Sequence, residues 1–353
     1  MKAGQLAAVL APFALVCDTK SPVAKHRLIQ VTSKKLSART ARVATDATFS
    51  LGIETPFAID GGQLAAVVSS LPAAQELALK LSDAGLSWRC GGASGRLATL
   101  PYEEPASLPR PIPAFTAASP ALANMFDLGA ISCSGTNLSH VGLFGVVLKL
   151  DRGELWCLSS DNTTISAATV TLPGDAHEAW EVTLAPSEAE LLASLLGRAS
   201  GSLAIREGVL RYGDTSMQVV VALIASLRYS VSVLFTPYRE GVNVIELPRE
   251  AISTFVKRAI AITASRKNAA VTVIAEHDKL TLQFAETRAQ TEEVFTLAEF
   301  DVPERLAVTI DAGRLVKALR HCDELVIDHM TKRCLTFRAK DGSFFYIIAG
   351  RPE

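Results

Sequence analysis

Phe57-Ala58-Ile59-Asp60-Gly61-Gly62-Gln63-Leu64, running on to Leu71-Pro72, and Thr309-Ile310-Asp311-Ala312-Gly313-Arg314-Leu315, running on to Leu319, are two copies of one pattern. In each, a strand-like run leads into a Leu-rich amphipathic segment. An alternating strand follows, Leu77-Ala78-Leu79-Lys80-Leu81 in the first copy and Leu325-Val326-Ile327 in the last. A middle copy lies at Thr183-Leu184-Ala185-Pro186-Ser187, with Leu191, Leu192, Leu195 and Leu196. Self-similarity of this kind decides the fold before any single motif does. Leu64 and Leu315 lie roughly 250 residues apart, so each copy takes about 120 residues, a usual domain size. Three similar domains in a row imply a scaffold rather than one catalytic cleft.

Hairpins recur at matching places. Leu28-Ile29-Gln30-Val31, Val146-Val147-Leu148-Lys149-Leu150 and Val271-Thr272-Val273-Ile274 are strand-like, and polar turns such as Asp151-Arg152-Gly153-Glu154 and Glu276-His277-Asp278-Lys279 follow the last two. A second set, Leu86-Ser87-Trp88-Arg89, Leu203-Ala204-Ile205-Arg206 and Leu335-Thr336-Phe337-Arg338, follows each Leu-rich helix. Each domain thus reads as helix, strands, helix, strands. The fold class is α+β with antiparallel sheets, because turns this short cannot make parallel crossovers. The proline-rich run Glu103 to Pro113 reads as a linker, and Thr236-Pro237-Tyr238-Arg239-Glu240-Gly241 marks a second boundary. The expected domains are 1–113, 114–240 and 241–353.

Composition narrows the classes. Among 353 residues, 49% are hydrophobic and 20% charged, as in ordinary globular chains. No apolar run approaches the ~18–20 residues that cross a bilayer. The apolar N-terminus reads as an amphipathic helix, with Leu6, Val9, Leu10 and Phe13 at helical spacing, and the expected location is cytoplasmic. The six cysteines are scattered, with no Cys-x-x-Cys, so reduced and mostly buried thiols are expected, with no metal or disulfide framework. A formal net charge of −1 excludes a uniformly basic surface but leaves room for a local one.

Three stretches, taken in order, carry a family resemblance. Leu79-Lys80-Leu81 through Leu86-Ser87-Trp88-Arg89 to Thr99-Leu100-Pro101-Tyr102-Glu103-Glu104-Pro105 resembles the end of the first domain of the bacterial β sliding clamp, the processivity factor of the replicative DNA polymerase. Phe144-Gly145-Val146-Val147-Leu148, with Leu155 and Ser159-Ser160-Asp161, resembles that family's middle-domain hairpin, which ends in Ala-Thr-Asp-Gly-His-Arg-Leu. Phe344-Phe345-Tyr346-Ile347-Ile348 is similar to its final strand. The resemblance covers the whole chain and implies three tandem DNA-clamp domains that form a ring. Two protomers would join head to tail, with helices lining the hole and no cofactor or metal. The partners implied are double-stranded DNA, a replicative polymerase, a clamp loader, other clamp-binding peptides and a second copy of the chain, with no membrane.

The resemblance also assigns residues. Lys257, Arg258, Arg266, Lys267, Arg314, Lys317 and Arg320, with Lys20 and Arg198, would face DNA. Without the resemblance, the basic stripe Arg314, Lys317, Arg320, His321 reads as a solvated helix face. The helices of the first third are poor in charge, so positive potential is expected mainly from the last third.

The partner-peptide pocket would take Leu155, Ser160, Asn162, Thr163, Thr164, Ile165, Ile347, Ile348, Ala349 and Gly350. There the chain departs from the family. Gly-His-Arg is replaced by Asn162-Thr163-Thr164, and Met-Pro-Met by Ala349-Gly350-Arg351. Losing two methionines removes adaptable apolar area, so the pocket is either altered in specificity or weakened. At the ring interface, Arg89 and Arg96 on a first-domain edge would meet Glu292 and Glu293 in a third-domain loop, beside Ala261 and Ile262.

No catalytic constellation is legible. The six histidines lack metal-ligand spacing. Cys90-Gly91-Gly92-Ala93-Ser94-Gly95 lacks a phosphate-loop Lys and reads as a hairpin turn, and His321 and Cys322 are adjacent on a helix and point apart. Besides a sliding clamp, a clamp-fold accessory or mobile-element variant with other partners stays open, and so does an enzyme of an unrecognised class.

Overall fold

The computed structural model describes residues 1–17, 21–105, 115–117, 119–133, 145–151, 153–161, 163–172, 179–196, 201–206, 209–213, 216–223, 243–263, 269–286, 289–297, 302–327 and 333–352. Helices among them are α1 (Ala3–Val16), α2 (Gly61–Ser69), α3 (Ser119–Gly129), α4 (Pro186–Leu196), α5 (Arg249–Ile262) and α6 (Ala312–His321). The expected α+β class is observed, and the described strand pairs are antiparallel.

The quoted copies start their helices in the same way. Asp60 accepts a hydrogen bond from the Gln63 amide at 2.9 Å, and Asp311 accepts one from the Arg314 amide at 2.9 Å. Such a cap contributes about 1 kcal/mol. The middle copy has Ala185 at the corresponding place, with no side chain able to cap, and the Ala185 amide instead donates to Glu188 Oε2 at 2.7 Å. The N-terminal segment is a helix burying Leu6, Leu10, Phe13 and Val16, and it continues through Pro12.

The chain divides into two compact units. The first comprises Met1–Asn124, Leu172–His177 and Val182–Ala225; the second comprises Met125–Thr171, Glu178–Glu181 and Ser226–Glu353. In the first unit one sheet runs, edge to edge, through Thr99–Leu100, Phe57–Asp60, Leu28–Val31, Lys35–Arg39, Val43–Thr48, Met217–Ala222, Val209–Gly213, Gly201–Arg206 and Phe115–Ala117. It joins strands of the first and middle copies at one seam, where Val43 pairs with Val221 and Ala47 with Met217. A separate sheet holds Leu77–Ser82, Gly85–Cys90 and Ala93–Leu97, with the glycine-rich run as its turn. In the second unit a long sheet joins middle and last copies. From Val146–Asp151 onward its order runs through Glu154–Ser160, Thr164–Thr171, Phe344–Ala349, Cys334–Arg338, Glu324–Ile327 and Asn243–Glu246, and its seam pairs Thr164 with Ile348 and Ala168 with Phe344. A five-stranded sheet follows the order Ala289–Thr296, Lys279–Glu286, Ala270–His277, Val302–Asp311, Arg351–Pro352.

In three hairpins the last paired residues stand three apart in sequence: Thr40 pairs with Val43, Asp161 with Thr164 and Glu286 with Ala289. The second strand of the first two hairpins forms a seam. The corresponding strand of the third, Ala289–Thr296, is a sheet edge, and so is Ala93–Leu97 in the first unit. Glu292 and Glu293, read from sequence as loop residues, lie on that edge strand. Its sequence, Ala-Gln-Thr-Glu-Glu-Val-Phe-Thr, does not alternate apolar with polar residues, so periodicity gives no strand there. All six cysteines are free thiols, and Cys17, Cys90, Cys157 and Cys322 are buried.

Candidate functional site

The hairpin tip at Asp161 and the end of strand Phe344–Ala349 meet in the second unit. Asp161 Oδ1 accepts four hydrogen bonds: from the Thr163 amide (3.0 Å) and hydroxyl (2.8 Å), and from the Thr164 amide (2.6 Å) and hydroxyl (2.9 Å). Arg314, from the first turn of α6, sits 3.4 Å from Asp161 Oδ2 and donates to the Thr163 hydroxyl. The Ser160 hydroxyl donates to the Thr164 carbonyl at 2.9 Å, and the Ala349 amide to the Thr163 carbonyl at 2.8 Å. Gly350 is required here, because a Cβ would lie 2.4 Å from Val308 Cγ1 and 2.7 Å from the Thr309 carbonyl oxygen.

Burial of Asp161 alone would raise its pKa, yet the hydrogen bonds from Thr163 and Thr164 outweigh it and hold the carboxyl below the usual 3.8. A carboxyl with a depressed folded pKa contributes stability above its unfolded value and loses it as pH falls through the folded one. The tip is therefore expected to loosen only below about pH 4. Amide exchange at Thr163 and Thr164 should accelerate there in the native protein, and in Asp161→Asn it should be fast already at pH 7.

The expected pocket residues divide between the two faces of the sheet. Leu155, Thr164 and Ile348 are buried at 0%, 2% and 0% exposure. Thr164 reaches Tyr346, whose hydroxyl is pushed up by burial. Ile165 and Ile347 pair directly across the seam on the opposite face. Ile347 belongs to a buried apolar cluster with Trp156, Leu158, Ala167, Val326 and Phe345, and half-buried Ile165, Val147, Val244 and Cys334 pack against it. Trp156, Leu158 and Phe345 were not among the residues expected from sequence. Alternation along Glu154–Ser160 and Phe344–Ala349 was the available signal, since it puts them on the face of Ile165 and Ile347. Asn162 lies outside the described residues.

Beneath the seam lies a buried hydroxyl network. Ser159 and Ser166 both donate to the Gly129 carbonyl, at 2.6 and 2.8 Å, and lie 2.9 Å from each other, while the Ser132 amide donates to Ser166 at 3.1 Å. Satisfied in this way, it fixes the end of α3 to the strands that carry the tip.

Of the basic residues, Lys257, Lys317 and Arg320 are exposed on α5 and α6. Arg314 is half-buried and engaged at the tip, and Arg258 is paired with Glu293. Lys20, Arg198, Arg266 and Lys267 lie outside the described residues. The exposed side of α2 carries Gln63, Ala66 and Ser69, without charge.

Arg96 lies on the edge strand Ala93–Leu97, whereas Arg89, expected on the edge, lies on the central strand Gly85–Cys90. Both share the exposed polar face of their sheet with Lys80 and Ser94. Glu292 accepts from Gln283 at 2.7 Å, whereas its neighbour Glu293 points to the other side, toward Arg258 of α5. On the opposite face of the first sheet, Trp88 lies over Gly95, where a Cβ would meet the ring at 2.6 Å, beside half-buried Leu79 and Leu97. Ala261 and Ile262 end α5 exposed, Ile262 at 47%. Cys322 is buried with its thiol pushed up by desolvation, which makes it a poor nucleophile. No cluster able to hold a metal ion exists among the described residues, and no helix among them is long and apolar enough to cross a membrane.

No protein-family model matches the sequence, and no curated protein resembles it in sequence. Solved structures do match over the full length. A sliding clamp (DNA polymerase III subunit β) from Bartonella birtlesii, bound to griselimycin, superposes with TM-score 0.82 at 18% identity, covering 100% of this chain and 99% of that one. The Helicobacter pylori β clamp bound to a DNA ligase peptide gives 0.80 at 13% identity, with 100% and 99% covered. A putative DNA polymerase III β subunit from Eubacterium rectale gives 0.81 at 12%, with 99% and 98% covered. The chain has the fold of the bacterial DNA polymerase sliding clamps.

Proposed function

We propose that the chain is a DNA polymerase processivity factor, a non-enzymatic cytoplasmic protein of three clamp domains at about 1–113, 114–240 and 241–353. Two copies close head to tail into a ring around double-stranded DNA. The observation that carries this reading is the end-to-end fold agreement with polymerase sliding clamps. The open edges support the ring. Two hairpin strands of the repeat series are already zipped into seams, and the third, Ala289–Thr296, awaits a strand such as Ala93–Leu97 of a second copy. Glu292 then faces Arg96, and Ile262 meets the apolar face around Trp88.

The ring holds DNA by topology, so its inner helices need only weak, sequence-independent contacts with phosphates. Lys257, Lys317 and Arg320 supply them. The short peptides of a replicative polymerase, a clamp loader and other partners bind beside the tip, where half-buried Ile165 and Val147 border the apolar cluster, as the Helicobacter relative receives a ligase peptide. A second reading, an accessory clamp serving different partners, is favoured by one observation. The tip that carries Gly-His-Arg in the family here carries Asn162-Thr163-Thr164 and is tied to Arg314.

The test is retention after loading onto nicked circular DNA, followed by linearisation. The protein is expected to stay on the circle and run off the linear form. Equal loss from both would sink the clamp reading.

A further inference from the structure

The C-terminal end of α6 is held by one side chain from α5. A helix leaves its last carbonyls without amide partners, and together they carry about half a negative charge. In α6 the Cys322 amide returns to the Ala318 carbonyl, so Leu319 and Arg320 offer the next two acceptors. Arg249, the first residue of α5, takes both. Its Nε donates to the Leu319 carbonyl at 2.7 Å and its Nη2 to the Arg320 carbonyl at 3.0 Å. Its Nη1 donates to Asp323 Oδ1 at 2.6 Å. Asp323 is in turn pinned by backbone: its amide donates to the Arg338 carbonyl at 3.0 Å, and its carbonyl accepts from the Leu247 amide at 2.8 Å. A planar guanidinium can serve three acceptors at once in this way, whereas the compact ammonium of a lysine cannot span them.

Arg320 belongs to the turn closed by this contact, and Lys317 stands three residues before it; both are exposed. Left open, that turn would present two bare carbonyls and the Asp323 carboxylate beside its cations, and each of these repels a phosphate. Closed, the helix-end charge is cancelled and the two cations keep one geometry. We propose that Arg249 is a positioning residue for DNA, holding the last turn of α6 so that Lys317 and Arg320 meet the phosphate backbone. All three of its guanidinium nitrogens are engaged within the protein, so it acts through these neighbours rather than by touching DNA. The inference rests on the DNA-encircling reading above.

The test is the affinity of the full chain for a short double-stranded DNA, read by fluorescence anisotropy across a salt series. The logarithm of affinity falls with the logarithm of salt, with a slope of about 0.9 for each phosphate neutralised. Arg249→Ala should weaken binding at low salt at least ~10-fold and flatten the slope by about two phosphates, although it removes a single charge. Lys279→Ala removes one exposed charge at a hairpin turn and should cost less than about twofold. Arg249→Lys keeps the charge but loses the three-way contact, and should stay at least ~5-fold weaker than the unaltered chain. In a Lys317→Ala/Arg320→Ala chain, Arg249→Ala should cost less than about twofold, because the groups it positions are gone. Circular dichroism checks that each variant is folded before binding is measured. Full recovery in Arg249→Lys, or an equal cost of Arg249→Ala with and without Lys317 and Arg320, overturns the positioning role alone. An unaltered chain with no salt-dependent DNA binding overturns the DNA reading and the positioning role together.

Discussion

Ile262→Asp is expected to convert the protein from a dimer to single chains at micromolar concentration, raising the dissociation constant at least ~100-fold. The side chain ends α5 exposed, so its replacement leaves the fold of the free chain intact. In the proposed ring it would be covered by the apolar face around Trp88. Burying an isoleucine stabilises a contact by about 1.5–3 kcal/mol, and an aspartate there has to be desolvated without a partner. The ring carries the loss twice. Sedimentation should show a one-chain species with an unchanged circular dichroism spectrum, and retention on circular DNA should disappear. An unchanged dimer would place the interface elsewhere.

A large loss of stability is expected from Gly129→Ala. A Cβ at this residue would stand 2.5 Å from Cys157 Sγ and 2.6 Å from the Cys157 carbonyl oxygen, and backbone cannot yield as a flexible side chain does. Relief requires moving the end of α3, which pulls the Gly129 carbonyl away from Ser159 and Ser166. Overpacking costs about 1–3 kcal/mol, and each buried group left without its partner about 1–3 more. A total near 3 kcal/mol or above lowers the melting temperature by about 5–10 °C. Gly92→Ala is the control, since nothing lies within 4 Å of its added Cβ. Equal melting temperatures for the two variants would refute the role given to this contact.

What was legible in the sequence was local. Asp60 and Asp311 announce helix starts, and the hairpins around Asp151-Arg152-Gly153-Glu154 and Glu276-His277-Asp278-Lys279 are two-strand patterns within one window. The seams were not legible, because nothing near Val43–Thr48 specifies Met217–Ala222 as its partner. The candidate site suffered from the same blindness. Leu155 and Ile348 are apolar and near the right place, but the pleat turns them to one buried face of the sheet, and Trp156 and Ile347, one residue away, join the apolar cluster on the other. A position matched along a chain carries no face until the strand's register is known. Arg314 shows the complementary failure. Helical spacing put it on a basic stripe with Lys317 and Arg320, whereas a contact some 150 residues away in sequence draws it to Asp161.

The pairing of Val43 with Val221 also sets a timetable for synthesis. At about 5–20 residues per second, the roughly 180 residues between them take about 9–36 s to leave the ribosome. Throughout that interval the outer edge of Val43–Thr48 has no native strand to bond, in a nascent chain crowded with other nascent chains. The companion edge, Thr164–Thr171, waits a similar time for Phe344–Ala349. Neither compact unit is one continuous stretch of chain, so neither can be completed by finishing a single domain. During translation each long sheet therefore waits half built for its seam strand, and chaperone demand should peak before those strands emerge.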